Sequence, residues 1–453
     1  MRLQRQWRSL PLPHKLPGMK HLLLALSATL LAVPAHAQLS APERKIVSAV
    51  EGERERTIGL LERMVNQNSG TLNLPGVTAV GEMARAELEP LGFQVEWVSQ
   101  AEIGRAGHIV ATHKGNGRGK RMLLIGHLDT VFEPDSPFQR FERQGDRAVG
   151  PGVGDDKGGV AVMIAALRAM HQAGTLKDAD ITLVLTGDEE EAALPIEASR
   201  RDLIAAAQDA DVALDFENLA LENGQDIGSI ARRSSGSWEV RAIAKGGHSS
   251  GIFSQSAGHG AVYELTRIID AFHRELPEPN LTFNVGLLAG GTTATISEDQ
   301  IRATATGKTN IIPELAIAKG DIRTLSLEQN ERVMTKMRDI VAKHLPGTQA
   351  TITFDEGTYP PMAPTEGSRA LLGKLNLVNK DLGLAAMGEL DPLKRGAGDI
   401  GFIAHLVDAG LVGLGASGGG SHAEGEFITL DSLDRQAKRA AILMTRLARE
   451  KRP

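Results

Sequence analysis

The sequence predicts an α/β protein, in which a mostly parallel sheet carries helices on both faces and a second, α+β unit is inserted. At 453 residues the chain is too long for one ordinary core, so two domains are expected. Short apolar strands alternate with helical patterns on both sides of the middle of the chain, which is typical of a parallel sheet. We expect residues 38–233 and 357–453 to form the first domain and residues 234–356 the insertion.

The first domain is predicted from its helix and strand patterns. A helix is expected over Pro42–Met64, and apolar residues at helical spacing predict another over Val160–Met170 that ends at Gly174. After the insertion we expect a helix over Ser368–Asn379 and a strand at Leu411–Leu414. The other predicted strands of this domain are Phe93–Val98, Ile109–His113, Met122–Ile125, Ile181–Thr186 and Val212–Phe216.

From about Ser234 the order of elements changes to one close to β-α-β-β-α-β, the order of a ferredoxin-like unit. The predicted elements are strand Trp238–Lys245, helix Ala257–Leu276, strands Leu281–Leu287, Ile301–Thr306 and Ala316–Leu325, helix Leu327–His344 and strand Ala350–Phe354. Such a unit has its own core, so it is expected to be self-contained.

Residues 1–37 have the composition of a secretory signal peptide. They hold five basic residues and no acid, then the apolar run Leu22–Val33, then Ala35-His36-Ala37. We expect cleavage after Ala37 and a periplasmic or secreted protein. The apolar run is shorter than the ~20 residues of a spanning helix, so no stable membrane anchor is expected.

Charge and cysteine content exclude several classes of partner and site. Loss of the five basic residues changes the net charge from −6 to −11, and so acidic a surface repels nucleic acid and anionic lipid. The chain has no cysteine. An exported protein without disulfides is stabilised by burial, and a metal must bind through histidine and carboxylate ligands alone.

Binding sites in such sheets form beyond the carboxyl ends of strands, and Gly126-His127-Leu128-Asp129 follows the predicted strand Met122–Ile125. Side chains at i and i+2 of an extended chain point the same way, so His127 can bind a metal while Asp129 orients its ring. A helix-capping or surface His-Asp pair fits this short pattern equally well.

A glycine-rich run at residues 150–159 places Asp155 just before the predicted helix Val160–Met170. Glycine at this density lets the backbone turn sharply and approach a ligand closely. An N-cap aspartate is the alternative. The run lacks the Gly-Lys-Ser/Thr ending of a phosphate-binding loop, which excludes that interpretation.

Acidic residues follow two further predicted strands. Four acids at 188–191 come directly after Ile181–Thr186, and Asp215 and Glu217 lie at the end of Val212–Phe216. By composition alone, four acids in a row are usually a solvated surface run. At a strand end, however, adjacent carboxylates repel each other unless a cation lies among them or one takes up a proton.

His422 follows the glycine run 418–420 and Ser421, which come after the predicted strand Leu411–Leu414. Two histidines and three carboxylates from five strand ends therefore suit two metal ions that share one bridging acid. Such a pair polarises a carbonyl and lowers the pKa of a shared water to about 7. A further carboxylate must then take the proton of that water and pass it to the leaving nitrogen.

These residues resemble the metallopeptidase family of carboxypeptidase G, acetylornithine deacetylase and succinyl-diaminopimelate desuccinylase. The resemblance runs from about residue 42 to 449. It rests on Gly-His-Leu-Asp at 126–129, Gly-Asp-Asp-Lys-Gly-Gly at 154–159, Asp-Glu-Glu at 188–190, Asp-Phe-Glu at 215–217, Gly-Gly-His-Ser at 246–249, Asn-Ile-Ile-Pro at 310–313 and His422.

The resemblance implies two Zn²⁺ ions per subunit, with Co²⁺ or Mn²⁺ also accepted by such ligands. It implies that Glu189 is the general base, that Asp129 steadies His127 and that a cis peptide bond follows Asp155. Asp215 remains an alternative to Glu217 because both point to the same strand face. The implied ligands are His127 and Glu217 for one ion, Glu190 and His422 for the other, and Asp155 as the bridge.

The resemblance also implies a homodimer formed through the inserted domain, which serves as a dimerisation and lid domain. His248 matches a histidine that reaches the partner subunit's site and stabilises the tetrahedral oxyanion. Asn310 and Arg323 match residues that bind the free carboxylate of the substrate, a function that a planar guanidinium suits. A surface salt bridge is the alternative for Arg323.

One segment departs from the family pattern. The late Gly-Gly-Gly-Thr-Asp of the family is replaced by Gly396-Ala397-Gly398-Asp399, so the substrate loop is expected to differ in shape. The favoured function is an exported dizinc carboxypeptidase that releases a C-terminal amino acid such as glutamate from a small peptide or N-acyl amino acid. An N-acyl-amino-acid deacylase or dipeptidase is the alternative. A metal-free binding protein is disfavoured because every ligand position and Glu189 are filled.

Overall fold

Helices and strands alternate along residues 39–452, the part of the chain that the computed structural model describes. The predicted signal peptide and its cleavage site lie outside these residues. The helices are α1 (Ala41–Gly52), α2 (Arg54–Asn66), α3 (Leu74–Leu88), α4 (Lys157–Ala173), α5 (Ile196–Ser199), α6 (Arg201–Ala207), α7 (Ala261–Glu275), α8 (Leu327–Val341), α9 (Glu366–Asp381) and α10 (Leu430–Leu447). The strands are β1 (Gln94–Ser99), β2 (Gly107–His113), β3 (Arg121–His127), β4 (Glu142–Gln144), β5 (Arg147–Val149), β6 (Asp180–Thr186), β7 (Val212–Asp215), β8 (Leu221–Glu222), β9 (Gln225–Asp226), β10 (Gly236–Ala244), β11 (Gly247–His248), β12 (Thr282–Phe283), β13 (Leu287–Gly291), β14 (Thr293–Ile296), β15 (Ala303–Thr306), β16 (Ile311–Ile312), β17 (Leu315–Arg323), β18 (Thr348–Phe354), β19 (Ala409–Val412), β20 (Gly418–Gly419) and β21 (Phe427–Thr429).

A six-stranded sheet in the order β1-β2-β6-β3-β7-β19 organises the first part of the fold. Strand β3 runs parallel to β6 and β7, and β7 runs parallel to β19. Strand β2 is antiparallel to both β1 and β6. The predicted mostly parallel sheet is confirmed, and the carboxyl ends of four neighbouring strands meet at one edge.

Helix α4 forms the centre of the core against this sheet. Its apolar residues from Val160 to Met170 are fully or almost fully buried, and it packs against α1, α2 and α10. The helix ends at Gly174, whose φ of 73° is a left-handed conformation that glycine adopts without strain. The helical spacing predicted for this segment is confirmed. Because α4 begins at Lys157, its rigid first turn fixes the loop that carries Asp155.

Two element predictions are wrong in detail. The single helix predicted over Pro42–Met64 is two helices, because Glu53 leaves the helical conformation directly after Gly52 and its N–H donates to Ala49 and Val50 carbonyls. The strand predicted at Leu281–Leu287 is divided into β12 and β13, which both pair with β17. Helix α10 was not predicted, although its buried face covers α4.

A second sheet lies within residues 236–354 and has the order β12-β17-β10-β18, with β13 also on β17. Every pairing in it is antiparallel. Helices α7 and α8 cover one face, where the Trp238 and Phe272 rings meet edge to face with centroids 5.5 Å apart. This is the predicted β-α-β-β-α-β arrangement, with one difference: β15 pairs with β14 in a separate hairpin.

Two chain segments connect the two sheets, and they run side by side. Arg232 and Met362 exchange backbone hydrogen bonds of 3.0 and 2.9 Å, and Ser235 and Tyr359 exchange another pair of 3.0 and 2.9 Å. This paired connection, residues 232–236 with 355–362, passes directly beside the carboxyl edge of the first sheet. Within residues 39–452, no helix has the length and apolar character needed to cross a membrane.

Candidate metal centre

Two histidines face each other across the carboxylate of Asp155. The Nε2 atom of His127 lies 3.1 Å from Asp155 Oδ1, and the Nε2 atom of His422 lies 3.2 Å from Asp155 Oδ2. His127 is the last residue of β3 and is buried, whereas His422 lies on an exposed loop between β20 and β21. Each oxygen of Asp155 therefore serves a different histidine, which is the arrangement that a bridging carboxylate needs.

The loop that carries Asp155 is held by a second acid, Glu426. One oxygen of the buried Glu426 carboxylate accepts hydrogen bonds from the backbone N–H groups of Gly154 and Asp155, at 2.7 and 3.0 Å, and the other accepts from Gly152 at 3.1 Å. The peptide bond between Asp155 and Asp156 is cis, as expected. Glu426 was missed from the sequence, because an isolated acid four residues after His422 carries no pattern of its own.

Asp129 holds the acidic segment after β6 as well as His127. Its Oδ1 lies 3.4 Å from His127 Nδ1 and accepts the N–H of Glu189 at 3.0 Å. Its Oδ2 accepts the N–H of Glu190 at 3.1 Å and the hydroxyl of Thr71 at 2.7 Å. Since Asp129 is fully buried, these contacts fix both glutamates relative to the histidine.

Glu190 lies close to His422, and one of its oxygens has no protein partner. Its Oε2 is 3.2 Å from His422 Nε2, and its buried Oε1 has no hydrogen-bond partner among the described residues. Two groups of ligand atoms within residues 39–452 lie within 4.8 Å of one another: those of His127, Glu189 and Glu190, and those of Asp155, Glu190 and His422.

The remaining predicted ligand, Glu217, belongs to neither group in the described structure. It forms an ion pair with Arg232 through Oε1, and its Oε2 lies 3.4 Å from a guanidinium nitrogen of Arg395. Asp215 accepts the N–H of Glu217 at 2.9 Å through Oδ1, while its buried Oδ2 has no hydrogen-bond partner. Both acids lie at the end of β7, as expected, and the choice between them stays a prediction.

The pKa values of the cluster show an excess of negative charge. Burial and the neighbouring acids raise the pKa of Glu189, and burial raises that of Glu190. Hydrogen bonds to the carboxylates of Asp155 and Glu190 raise the pKa of His422 to about 11. Burial lowers the pKa of His127, but its hydrogen bonds to Asp129 and Asp155 outweigh burial and leave the pKa raised. The folded protein therefore takes up positive charge here, as protons or as cations.

The residues fit divalent metal ions of the zinc type. Imidazole nitrogen and carboxylate oxygen are borderline ligands that suit Zn²⁺. The unpartnered Oε1 of Glu190 and the two oxygens of Asp155 are acceptors that a cation would satisfy. The other ring nitrogen of His127 faces Asp129, the arrangement common behind metal-bound histidines.

A cleft of about 420 Å³ opens onto these acids. Its other wall carries Arg323, Lys394 and Arg395 together with Tyr359. Arg323 is thus placed in the cleft of its own chain, and among residues 39–452 its guanidinium has one weak hydrogen bond, 3.4 Å to Asp321.

His248 and Asn310 do not line this cleft. Both are exposed: His248 is in β11, which pairs with β16, and Asn310 directly precedes β16. The N–H of Ser249 donates to the Asn310 carbonyl at 2.9 Å. The Nδ1 atom of His248 is 2.8 Å from the hydroxyl of Ser250. The structure therefore brings the five predicted ligands, the predicted base and Arg323 to one place, but neither of these two residues. Glu217 lines the cleft outside the two groups of ligand atoms.

A buried arginine supports the base from behind. Arg200 is fully buried and lies 2.7 Å from both the Asp188 and the Asp399 carboxylates. It also donates to the hydroxyl of Tyr359 at 2.6 Å, and that hydroxyl donates to the backbone carbonyl of Glu189 at 2.6 Å. Asp188, the first of the four acids, is thus used in this ion pair. Arg200 was missed because two adjacent arginines, Arg200 and Arg201, usually indicate a solvated surface.

The α/β fold and this cluster of histidines and acids define a hydrolase of the metallopeptidase class. Residues 123–446 match the model of peptidase family M20/M25/M40, and the chain belongs to that family.

Two relatives of known activity cover much of the chain. Carboxypeptidase G2 of Pseudomonas sp. strain RS-16 is 28% identical over 405 residues, which cover 88% of this chain and 91% of that one. Succinyl-diaminopimelate desuccinylase of Novosphingobium aromaticivorans is 28% identical over 310 residues, covering 65% and 75%.

Solved structures show the same fold at lower identity. A tripeptidase of Staphylococcus aureus superposes with a TM-score of 0.67 at 18% identity and covers 88% of this chain and 99% of its own. A dinuclear metal-binding peptidase of family M20 from Bacillus subtilis has a TM-score of 0.61 at 14% identity, with coverage of 88% and 99%. The predicted fold class and family are confirmed.

Proposed function

We propose that this chain is an exported dizinc carboxypeptidase that hydrolyses the amide bond to a C-terminal amino acid. The observation that carries the proposal is the Asp155 carboxylate, one oxygen of which faces each histidine. The two groups of ligand atoms around it overlap at Glu190. This arrangement supports two ions with a shared bridge. A mononuclear site would leave one of the histidines without a role.

Bound zinc ions would polarise the scissile carbonyl and acidify a water. His127, Asp155, Glu190 and His422 would hold them, with Glu217 or Asp215 as the remaining ligand. Glu189 then takes the proton of the attacking water and gives it to the leaving nitrogen. Burial raises its pKa, which suits a group that must both accept and return a proton. The hydrogen bonds from Tyr359 and to Asp129 hold its backbone in place.

The cleft favours a substrate with a free carboxylate. Arg323 lines it, and among the described residues only its Nε atom has a side-chain hydrogen bond, whereas Lys394 and Arg395 add positive charge nearby. A guanidinium binds a carboxylate through two parallel hydrogen bonds, which orients a C-terminal residue as well as attracting it. This supports a carboxypeptidase, with an acidic leaving residue such as glutamate. The sequence likeness to carboxypeptidase G2 over most of both chains points the same way.

Hydrolysis by an N-acyl-amino-acid deacylase or a dipeptidase is the second candidate. The same metal centre serves both reactions, and relatives include a desuccinylase. The two candidates differ in which side of the amide bond the cleft recognises.

A homodimer through the inserted domain is the proposed assembly. His248 and Asn310 are exposed and lie outside the cleft of their own chain, which supports a function in the cleft of a second copy. Exposed apolar side chains on the same domain, Tyr263 on α7 and Leu288 on β13, supply surface for such an interface. Export rests on the composition of residues 1–37.

A substrate panel tests the proposal. The zinc-loaded protein should hydrolyse N-acyl amino acids with a free α-carboxylate, and the same compounds as C-terminal amides should lose at least about tenfold in kcat/KM, since Arg323 loses its partner. Equal rates on acid and amide would contradict a carboxypeptidase. Cleavage only of free dipeptides, whose α-amine is unblocked, would favour the dipeptidase.

A further inference from the structure

Arg232 lies where the paired connection between the two sheets meets the metal centre. Its side chain is only 6% exposed, and its guanidinium contacts the acids at the end of β7 and the segment 396–397 of the cleft wall. It donates to Glu217 Oε1 and to the backbone carbonyls of Gly396, at 2.7 Å, and Ala397. The nitrogen that faces Glu217 is also 3.8 Å from Asp215 Oδ2. One side chain therefore joins the acids after β7 to the 396–398 segment.

The next residue of that segment, Gly398, leaves the space that Arg232 fills. A Cβ atom on Gly398 would lie 2.2 Å from the Nη1 atom of Arg232 and 2.4 Å from its Cζ atom. The φ of Gly398 is 177°, an extended conformation that any residue adopts, so space and not backbone conformation requires glycine here. A threonine side chain at position 398 would have no room beside this guanidinium.

The segment held by Arg232 forms the wall of the cleft beside Arg323. Gly396 and Ala397 line the cleft, and a Cβ atom on Gly396 would lie 3.8 Å from Arg323 Nη1. The position of this wall therefore sets the space around the guanidinium that faces the substrate carboxylate. Arg232 also contacts Glu217, so that Glu217 has an arginine at each of its oxygens: Arg232 at Oε1 and Arg395 at Oε2.

We propose that Arg232 is a positioning residue that fixes Glu217 and the substrate wall at residues 396–398 together, with Gly398 as its steric partner. The inference rests on the proposed hydrolytic function. A buried guanidinium that satisfies a carboxylate and two carbonyls holds three groups in register. Its removal leaves the two carbonyls and Glu217 Oε1 without this donor, while Arg395 still contacts Glu217 Oε2. The two functions of Arg232 are separable. Its contact with Glu217 needs a positive charge, whereas its contacts with the Gly396 and Ala397 carbonyls need the planar set of guanidinium donors.

Two substitutions at Arg232 separate these functions. Arg232→Lys keeps a charge for Glu217 but cannot reach both carbonyls, so KM should rise about tenfold with little change in zinc affinity. Arg232→Met should raise KM by a similar factor and also weaken zinc binding, measured by chelator competition. Arg435→Met is the matched control, since Arg435 forms a two-contact ion pair with Asp226 away from the cleft. A folded Arg232→Met protein with KM and zinc affinity within twofold of wild type would overturn the proposal.

The steric pairing is tested without activity. Gly398→Ala should lower Tm by several degrees and weaken zinc binding in the wild-type background. It should change both less in Arg232→Ala, where the nearest remaining atom is Glu217 Oε1, 2.6 Å from the added Cβ atom and at the end of a flexible side chain. Additive effects of the two substitutions on Tm and zinc affinity would refute the pairing. If the wild-type protein hydrolyses no compound of the panel, the proposed function fails, while this cycle still decides whether Arg232 and Gly398 act as a unit.

Discussion

At the scale of single residues, the predicted general base is Glu189, which lies in a cluster of acids that requires compensating positive charge. Hydrogen bonds to Asp129 and from Tyr359 fix the backbone of Glu189. We expect Glu189→Gln to lower kcat by at least about 10³-fold, because the amide cannot accept a proton, with zinc content unchanged. Steady-state kinetics and elemental analysis check this. Glu191→Gln, two residues on and exposed, is the control. Near-normal turnover in Glu189→Gln would show that the base is another group.

The raised pKa values give the metal-free protein a defined pH dependence. Glu189, Glu190 and the two histidines all have pKa values above their ordinary ones, and burial raises that of Asp215 to about 7. Between pH 5 and 8 the folded state therefore binds more protons than the unfolded state, so the free energy of unfolding falls as the pH rises. Thermal unfolding of chelated protein should show Tm decreasing over this range, and zinc should remove most of the slope. A Tm that rises with pH in chelated protein would contradict these shifts.

The sequence predicted residues that the structure places together, but not the residues that hold them. His127, Asp155, Glu190 and His422 were found because each follows a strand or a glycine run, a signal that is local in the chain. Glu426, Arg200 and Arg232 lie far in sequence from the groups they contact, at separations that only the folded chain brings together. Positioning residues of this kind have no motif, since a buried carboxylate or guanidinium is defined by its surroundings.

At the scale of elements, the glycine loop before α4 depends on one acid. In Glu426→Gln the amide nitrogen replaces one acceptor oxygen, so one backbone N–H of the loop meets a donor instead of an acceptor. We expect zinc affinity to fall about tenfold, because Asp155 is no longer held in register, as measured by chelator competition. Glu424→Gln is the matched control, because Glu424 is exposed and lies two residues before Glu426 on the loop between β20 and β21. Equal zinc affinities in the two variants would show that Glu426 does not hold Asp155 in place for metal binding.

Element boundaries were predicted best where periodicity and burial agree. The α4 pattern was clear because its whole length is buried, and the strands of the parallel sheet are continuous apolar runs. The break at Gly52 was missed because the apolar pattern of α1 continues into α2, so only the backbone change at Glu53 separates them. The short strands β4, β5, β20 and β21 have no apolar run to indicate them, yet their sheet carries the loop of His422.

At the scale of the whole molecule, the proposed dimer makes a prediction about complementation. His248→Ala should lower kcat at least about tenfold with zinc content unchanged, because an oxyanion donor is lost. Mixing it with Glu189→Gln should restore activity, since one cleft of each heterodimer then has both groups. The kinetics of unfolded and refolded mixtures measure this, with His273→Ala, exposed on α7, as the control. No recovery in mixtures shown to contain heterodimers would place His248 outside the partner's cleft.

The central claim is that Asp155 bridges two metal ions held on either side by His127 and His422. Its most direct measurement is the zinc stoichiometry of purified, active protein by elemental analysis, together with that of His127→Ala and His422→Ala. We expect two zinc ions per wild-type chain. Each variant should hold at least one ion fewer, and its kcat should fall in proportion to its zinc content. Active, folded wild-type protein that holds one ion or none would contradict it.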